Sequence, residues 1–149
     1  MTKRVLLSVR PRFARGLVAG TKTAEVRRRF PELDADTEIY VYSSSPDRAV
    51  IGVVTLSEIS RIAPADVWRQ FATEIEINER DLDEYLAGVD CAAIIRVEGA
   101  VSWDRWVTLQ QLRALGLEPA QSYRYLTVEQ ATALADFSFV SILPALVAS

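Results

Sequence analysis

Hydrophobic and polar positions alternate from the start of the chain. In "RVLLSV", residues 4–9, Val5, Leu7 and Val9 share one face, which predicts a strand. Pro11 suits the first turn of a helix. Phe13, Leu17 and Val18 give that helix an apolar stripe, Arg12 and Arg15 lie outside it, and Gly20 is a natural stop. "GTKTAEVRRRF", residues 20–30, returns to a period of two. Ala24, Val26, Arg28 and Phe30 fall on one face, with Thr23, Glu25, Arg27 and Arg29 on the other. "EIYVYSSS" predicts a third strand, with Ile39 and Val41 opposite Tyr40 and Tyr42. "AVIGVVTLSEI" is apolar on both faces and reads as a central strand. Gly52 inside it marks a bulge or a close backbone approach.

Two short helices follow. Pro64 opens one, with Val67, Trp68, Phe71 and Ile75 at helical spacing. Asn78 caps the other, with Leu82, Tyr85 and Leu86 inside. Trp68, Phe71 and Tyr85 are expected in the core. "CAAIIRVEGAV" is another strand, which Cys91 opens as an inert, buried thiol. Trp103 and Trp106 are expected to flank a turn. Thr108 with Gln111, and Thr127 with Gln130, make two capping boxes for helices. Between them "LEPAQSYRYL" is a loop or short strand. The apolar tail from Phe137 to Val147 docks on the core or forms an interface, which makes a homo-oligomer one expectation. The whole is an α+β pattern in one domain, residues 1–149, with a sheet that curls into a small β-barrel flanked by helices.

Composition narrows the chemistry. A length of 149 residues, half of them hydrophobic and a quarter charged, suits an ordinary globular domain. No apolar run approaches the ~20 residues that span a bilayer, so no membrane partner is expected. The N-terminal apolar stretch is too short for a signal peptide. With a single cysteine no internal disulfide forms, and a cytoplasmic location is expected. Histidine is absent. This removes histidine general bases, Ser-His-Asp triads and the usual zinc sites. No metal or cofactor is expected, and any catalysis falls to Lys, Glu, Asp, Tyr, Ser or the one Cys.

Charge is segregated. Residues 1–30 hold nine of the 17 basic side chains and one acid, Glu25, a balance of +8; the remainder carries eight basic and 19 acidic side chains, or −11. Such a basic segment on an acidic protein points to a localised anion site, or is neutralised by the rest of the fold. The overall pI near 5.1 argues against non-specific duplex binding. A short single strand or a nucleotide fits better.

"GTKTAEVR" resembles the G-x-K-x-x-E-x-R signature of the ASCH domain family, within the PUA-like superfamily, with all four positions present as Gly20, Lys22, Glu25 and Arg27. "VLLSVRPRFARGLVAG", "IYVYSSSPDRAVIGVV" and "LGLEPAQSYRYL" resemble the family's other blocks, in the family's order, over about residues 4–126. The resemblance implies a small β-barrel with flanking helices and a cleft in which the signature residues meet. It also implies RNA binding, and for some members ribonuclease or acetylcytidine amidohydrolase activity. The amidohydrolases usually carry threonine where this chain has Glu25, and neither Glu74 nor Glu76 matches their second glutamate.

The candidate ligand-binding set is Lys22, Glu25, Arg27, Tyr42, Ser43, Ser44, Ser45, Arg48, Gln121, Ser122 and Arg124. It combines cations for phosphate, a ring for stacking, and amide and hydroxyl groups for a base edge, the means by which single-stranded RNA or a nucleoside is read. The leading function is RNA or nucleotide binding. The alternative is a metal-independent hydrolase with Lys22, Glu25 and Tyr42 as its catalytic residues. The structural alternative for Glu25, Arg27 and Arg29 is an ion network that locks the barrel.

Overall fold

The computed structural model describes residues 3–140. Its elements are β1 (Arg4–Val9), α1 (Pro11–Ala19), β2 (Ala24–Arg27), β3 (Glu38–Ser43), β4 (Ala49–Ile62), α2 (Pro64–Ile75), α3 (Glu79–Tyr85), β5 (Ala92–Thr108), α4 (Leu109–Ala114), β6 (Tyr123–Leu126) and α5 (Val128–Val140). The six strands form one mixed sheet in the order β2-β5-β4-β3-β1-β6. Only the β1–β3 pair is parallel. It is joined through α1 and β2, the long connection a parallel pair needs.

The sheet curls until its ends touch. Arg27 of the edge strand β2 donates to the Ser8 carbonyl of β1 at 2.7 Å. Phe30, just past β2, meets Tyr123 of the opposite edge strand β6 edge-on, with centroids 5.1 Å apart. Register shifts in the β3–β4 and β4–β5 pairings supply the bend. Gly52 lies at one of them. A Cβ there would stand 2.2 Å from the Val101 carbonyl, so the neighbouring strand approaches through the space a side chain would fill.

Period-two alternation sorts the core into layers. Leu7, Val9, Ile39, Val41, Ile51 and Ile95 face α1 in one cluster. Leu6, Tyr40, Tyr42, Val50 and Val107 face α4 and α5 in a second. Ala24, Val26 and Ile94 pack on Val67, Phe71, Ile75 and Leu82 of α2 and α3 in a third. The predicted caps are present. Both capping boxes form, Asn78 accepts from the Asp81 amide, and Gly20 closes α1 at φ 82°.

Four sequence expectations need correction. β2 ends at Arg27 and the chain bends at Arg28 and Arg29, so Arg29 does not share a strand face with Glu25. β5 runs on to Thr108, so Trp103 and Trp106 lie within a strand; the segment is held by pairing with β4, from Val53↔Val101 to Ala49↔Thr108. Tyr85 is 39% exposed. Cys91 is exposed, immediately before β5. α5 continues through Phe137, which packs on the second cluster; the expected interface beyond residue 140 lies outside the described residues. Among the described residues no helix is long and apolar enough to cross a membrane.

Candidate functional site

The signature residues are brought together, and they are buried. Tight turns after α1 carry Lys22 inward, with the Thr21 and Lys22 amides both donating to the Gly16 carbonyl. Lys22 is 2% exposed. Its Nζ lies 3.5 Å from Glu25 Oε1, donates to the Ile75 carbonyl at the end of α2, and stands 4.9 Å from the Phe13 ring centroid. Gly16 leaves the room, since a Cβ there would come within 3.0 Å of Lys22 Cβ. Burial lowers the Lys22 pKa from 10.5, while the charges of Glu25 and Glu76 oppose that shift. The other Glu25 oxygen, Oε2, accepts from Arg27 at 2.9 and 3.1 Å. Glu25 thus holds a lysine with one oxygen and an arginine with the other, and Arg27 passes the connection on to Ser8.

Ser8 belongs to a second assembly. At the C-terminal ends of β1 and β3 a cavity of about 240 Å³ is lined by Ser8, Tyr42, Ser44, Leu109, Gln121 and the 118–120 segment. Parallel pairing sets Ser8 directly beside Tyr42. Ser8 also holds the far wall, its amide donating to the Ser122 carbonyl at 2.8 Å and its hydroxyl to the Ala120 carbonyl at 2.7 Å. Tyr42 is 6% exposed. Burial raises its pKa above 10.0, against the pull of Arg48 and Arg113, so the phenol is protonated near neutral pH.

The turn after β3 is braced from behind. Ser43 is buried and its hydroxyl donates to Asp47 at 2.7 Å. Asp47 also takes a bidentate pair from Arg15, at 2.6 and 3.2 Å. Burial would raise the Asp47 pKa, but the bonds from Arg15 and Ser43 outweigh it and hold it below 3.8. Ser45 and Arg48 are exposed on this turn, and the Arg48 backbone sits at φ 50°, with its carbonyl accepting from the Leu109 amide at 2.8 Å. Arg124 donates to the Glu118 carbonyl at 3.0 Å, and its buried Nε has no hydrogen-bond partner among the described residues.

The candidate set therefore divides in two. Lys22, Glu25 and Arg27 form a buried network, whereas Tyr42, Ser44 and Gln121 line the cavity, with Ser122 next in the chain. Ser43 and Arg124 brace the walls, and Ser45 and Arg48 sit on the exposed turn. Ser8 was not singled out from the sequence. Its one signal is a hydroxyl at the end of an apolar strand, and its importance comes from pairing beside Tyr42. Among the described residues no group of three His, Cys, Asp or Glu side chains could hold a metal ion.

Comparison with known proteins agrees with this geometry. The chain is 28% identical over 140 residues to an ASCH domain-containing ribonuclease of Zymomonas mobilis, covering 91% of this chain and 93% of that protein. The crystal structure of ASCH from Zymomonas mobilis superposes with a TM-score of 0.85 at 28% identity, over 90% of this chain and 94% of that one. The N-terminal domain of McrB from Staphylothermus marinus shares the fold at 12% identity, with a TM-score of 0.57 over 91% of this chain and 94% of that one. The ASCH domain family model matches residues 7–113, and with the signature residues meeting in a curled α+β sheet, the chain belongs to the ASCH domain family.

Proposed function

We propose that this ASCH domain binds single-stranded RNA at the Ser8–Tyr42–Gln121 cavity and cleaves it there by attack of a 2′-hydroxyl on the neighbouring phosphate. The observation that carries the reading is Tyr42, a buried phenol kept protonated at the wall of a cavity with Arg48 and Arg113 close enough to act on its charge. The Zymomonas mobilis relative, similar over nearly its whole length, is named a ribonuclease. Solved variants of that protein carry a tyrosine-to-phenylalanine and a serine-to-alanine change, and the same two residue types stand here in Tyr42, on the cavity wall, and Ser122, next in the chain to its wall residue Gln121.

In this mechanism the 2′-oxygen forms a bond to phosphorus as the bond to the 5′-oxygen breaks, leaving a cyclic phosphate and a free 5′-hydroxyl. The 2′-hydroxyl gives its proton to solvent water, and the Tyr42 phenol supplies the proton for the departing 5′-oxygen and regains one from solvent, a role that suits a raised pKa better than that of a base. Arg48, whose guanidinium has no protein partner among the described residues, stabilises the charge that builds on the phosphate. The hydroxyls of Ser44 and Ser122 and the Gln121 amide hold the phosphate or a base edge. Lys22, Glu25 and Arg27 position the site through Ser8.

The test is RNA cleavage in EDTA by wild type and Tyr42→Phe, with binding followed on the same samples. Loss of a positioned acid predicts a fall of about 10²-fold or more in cleavage, with binding changed little. Full cleavage by Tyr42→Phe would overturn the assignment. Binding by wild type without cutting would leave an RNA-binding module.

A further inference from the structure

The three arginines of "GTKTAEVRRRF" have different fates, and only the first joins the buried network behind the Ser8–Tyr42 cavity. Where β2 ends, Arg28 and Arg29 turn outward and line a second cavity of about 440 Å³ together with Phe30, Arg61 at the end of β4, and Asp90 and Cys91 before β5. Arg28 is anchored at one end, with Nη1 donating to the Tyr85 and Ala87 carbonyls at 2.7 and 3.1 Å. Its remaining nitrogens, and the whole Arg29 guanidinium, have no protein partner among the described residues. Arg61 pairs with Glu32 at 3.0 Å, a carboxylate 81% exposed. Three guanidiniums thus converge here against Asp90 and Glu32, on a protein whose net charge is −3.

A ring contact links the wall of this cavity to the strand that follows Gln121. Phe30, on its wall, packs against Tyr123, two residues beyond Gln121. Tyr123 meets Tyr125 at 5.8 Å, and Tyr125 is 43% exposed, with the Lys3 ammonium 5.0 Å from its centroid. The seam where the curled sheet meets itself therefore carries aromatic rings and a cation beside the second cavity, the combination that tracks a single strand.

We infer that the Arg28–Arg29–Arg61 cavity is a second phosphate subsite, engaging the backbone of the same RNA strand some nucleotides away from the Ser8–Tyr42 cavity. The inference rests on the RNA reading above and extends it: the substrate is an oligonucleotide held at two points, not a mononucleotide. Guanidiniums suit this role because they take phosphate in a bidentate fork.

The experiment compares wild type with Arg29→Gln/Arg61→Gln, titrated with a dinucleotide and with an octanucleotide of RNA that carries 2′-deoxy sugars to block cutting. These arginines are at the surface, so circular dichroism and melting should match wild type. Octanucleotide affinity should fall about tenfold in the double variant, its log–log salt slope should flatten by ~0.7 for each lost contact, and dinucleotide affinity should be unchanged. The single cysteine gives a local readout, since Cys91 lines this cavity and iodoacetamide labelling should slow when the octanucleotide is bound. Unchanged octanucleotide affinity and slope, with Cys91 labelled at the free rate, would overturn the subsite. If neither RNA binds wild type, the RNA reading itself fails. Protection of Cys91 by pyrophosphate in wild type alone would then still support an anion site, and no protection would remove it.

Discussion

One charged segment supplies two regions of opposite character. Lys22, Glu25 and Arg27 lie inside, at 2%, 10% and 12% side-chain exposure. Arg28 and Arg29, the next residues, lie outside. The residue types are the same and the energetic consequences are not. A buried charge is held by its partners, and removing one partner leaves another uncompensated where water cannot reach it. An exposed charge is hydrated, its pairing contributes at most ~1 kcal/mol, and it stays free for a ligand. The inner charges can set the shape of a site, and the outer ones are available to bind.

The strongest way to break this contrast is Glu25→Ala. It strands both Lys22 and Arg27, and should destabilise the fold by about 3–5 kcal/mol in urea or thermal melts. A loss under ~1 kcal/mol would show that water enters the network and that the inner region behaves as a surface. Lys22→Met is the sharper and smaller test. Glu25 keeps Arg27, the methionine fills the space beside Phe13, and the principal loss is the donor to the Ile75 carbonyl, about 1–3 kcal/mol. If Lys22 acts only by positioning, cleavage by Lys22→Met should fall in step with any loosening of Ser8. Abolished cleavage with intact stability would place Lys22 in the chemistry.

The smallest expected effect is at Asp47, whose partner Arg15 is itself 59% exposed. Its folded pKa lies below its ordinary 3.8. The unfolded chain therefore takes up the proton first as pH falls, and the stability Asp47 contributes is full above about pH 3.8 and lost on acidifying through the folded pKa. Melting of wild type and Asp47→Asn from pH 6 to pH 2 should converge at the acid end. Curves that stay parallel would mean that Asp47 bears no pH-linked stability.

Much of the fold was legible because its signals are local. The capping boxes at Thr108 and Thr127, the Gly20 stop, the β1 alternation and the two faces of "EIYVY" each depend on residues within a turn or strand. The ASCH signature was legible as a pattern of four residues. The end of β5, beyond Val101, was not. "SWDRW", residues 102–106, mixes polar and aromatic residues without a buried face, and becomes a strand through its ladder with β4, where bare Gly52 admits the Val101 carbonyl. Ser8 was missed because a lone serine ending an apolar strand carries no signal until pairing sets it beside Tyr42.

The sequence by itself determined which groups are present: a chain without histidine, a basic first segment, the Gly20–Lys22–Glu25–Arg27 signature, and strand and helix periods that dictate a curled α+β sheet. Tertiary structure alone decided which charges go inward. A period of two assigns Glu25, Arg27 and Arg29 to one face, but β2 stops at Arg27 because pairing with β5 ends at Arg27↔Ala93, and the next two arginines leave the sheet. The physical reason is that burial of a charge is set by what closes over it. Here that is the end of α2 and the carbonyl of Ser8, groups 53 and 19 residues distant from their partners in the chain.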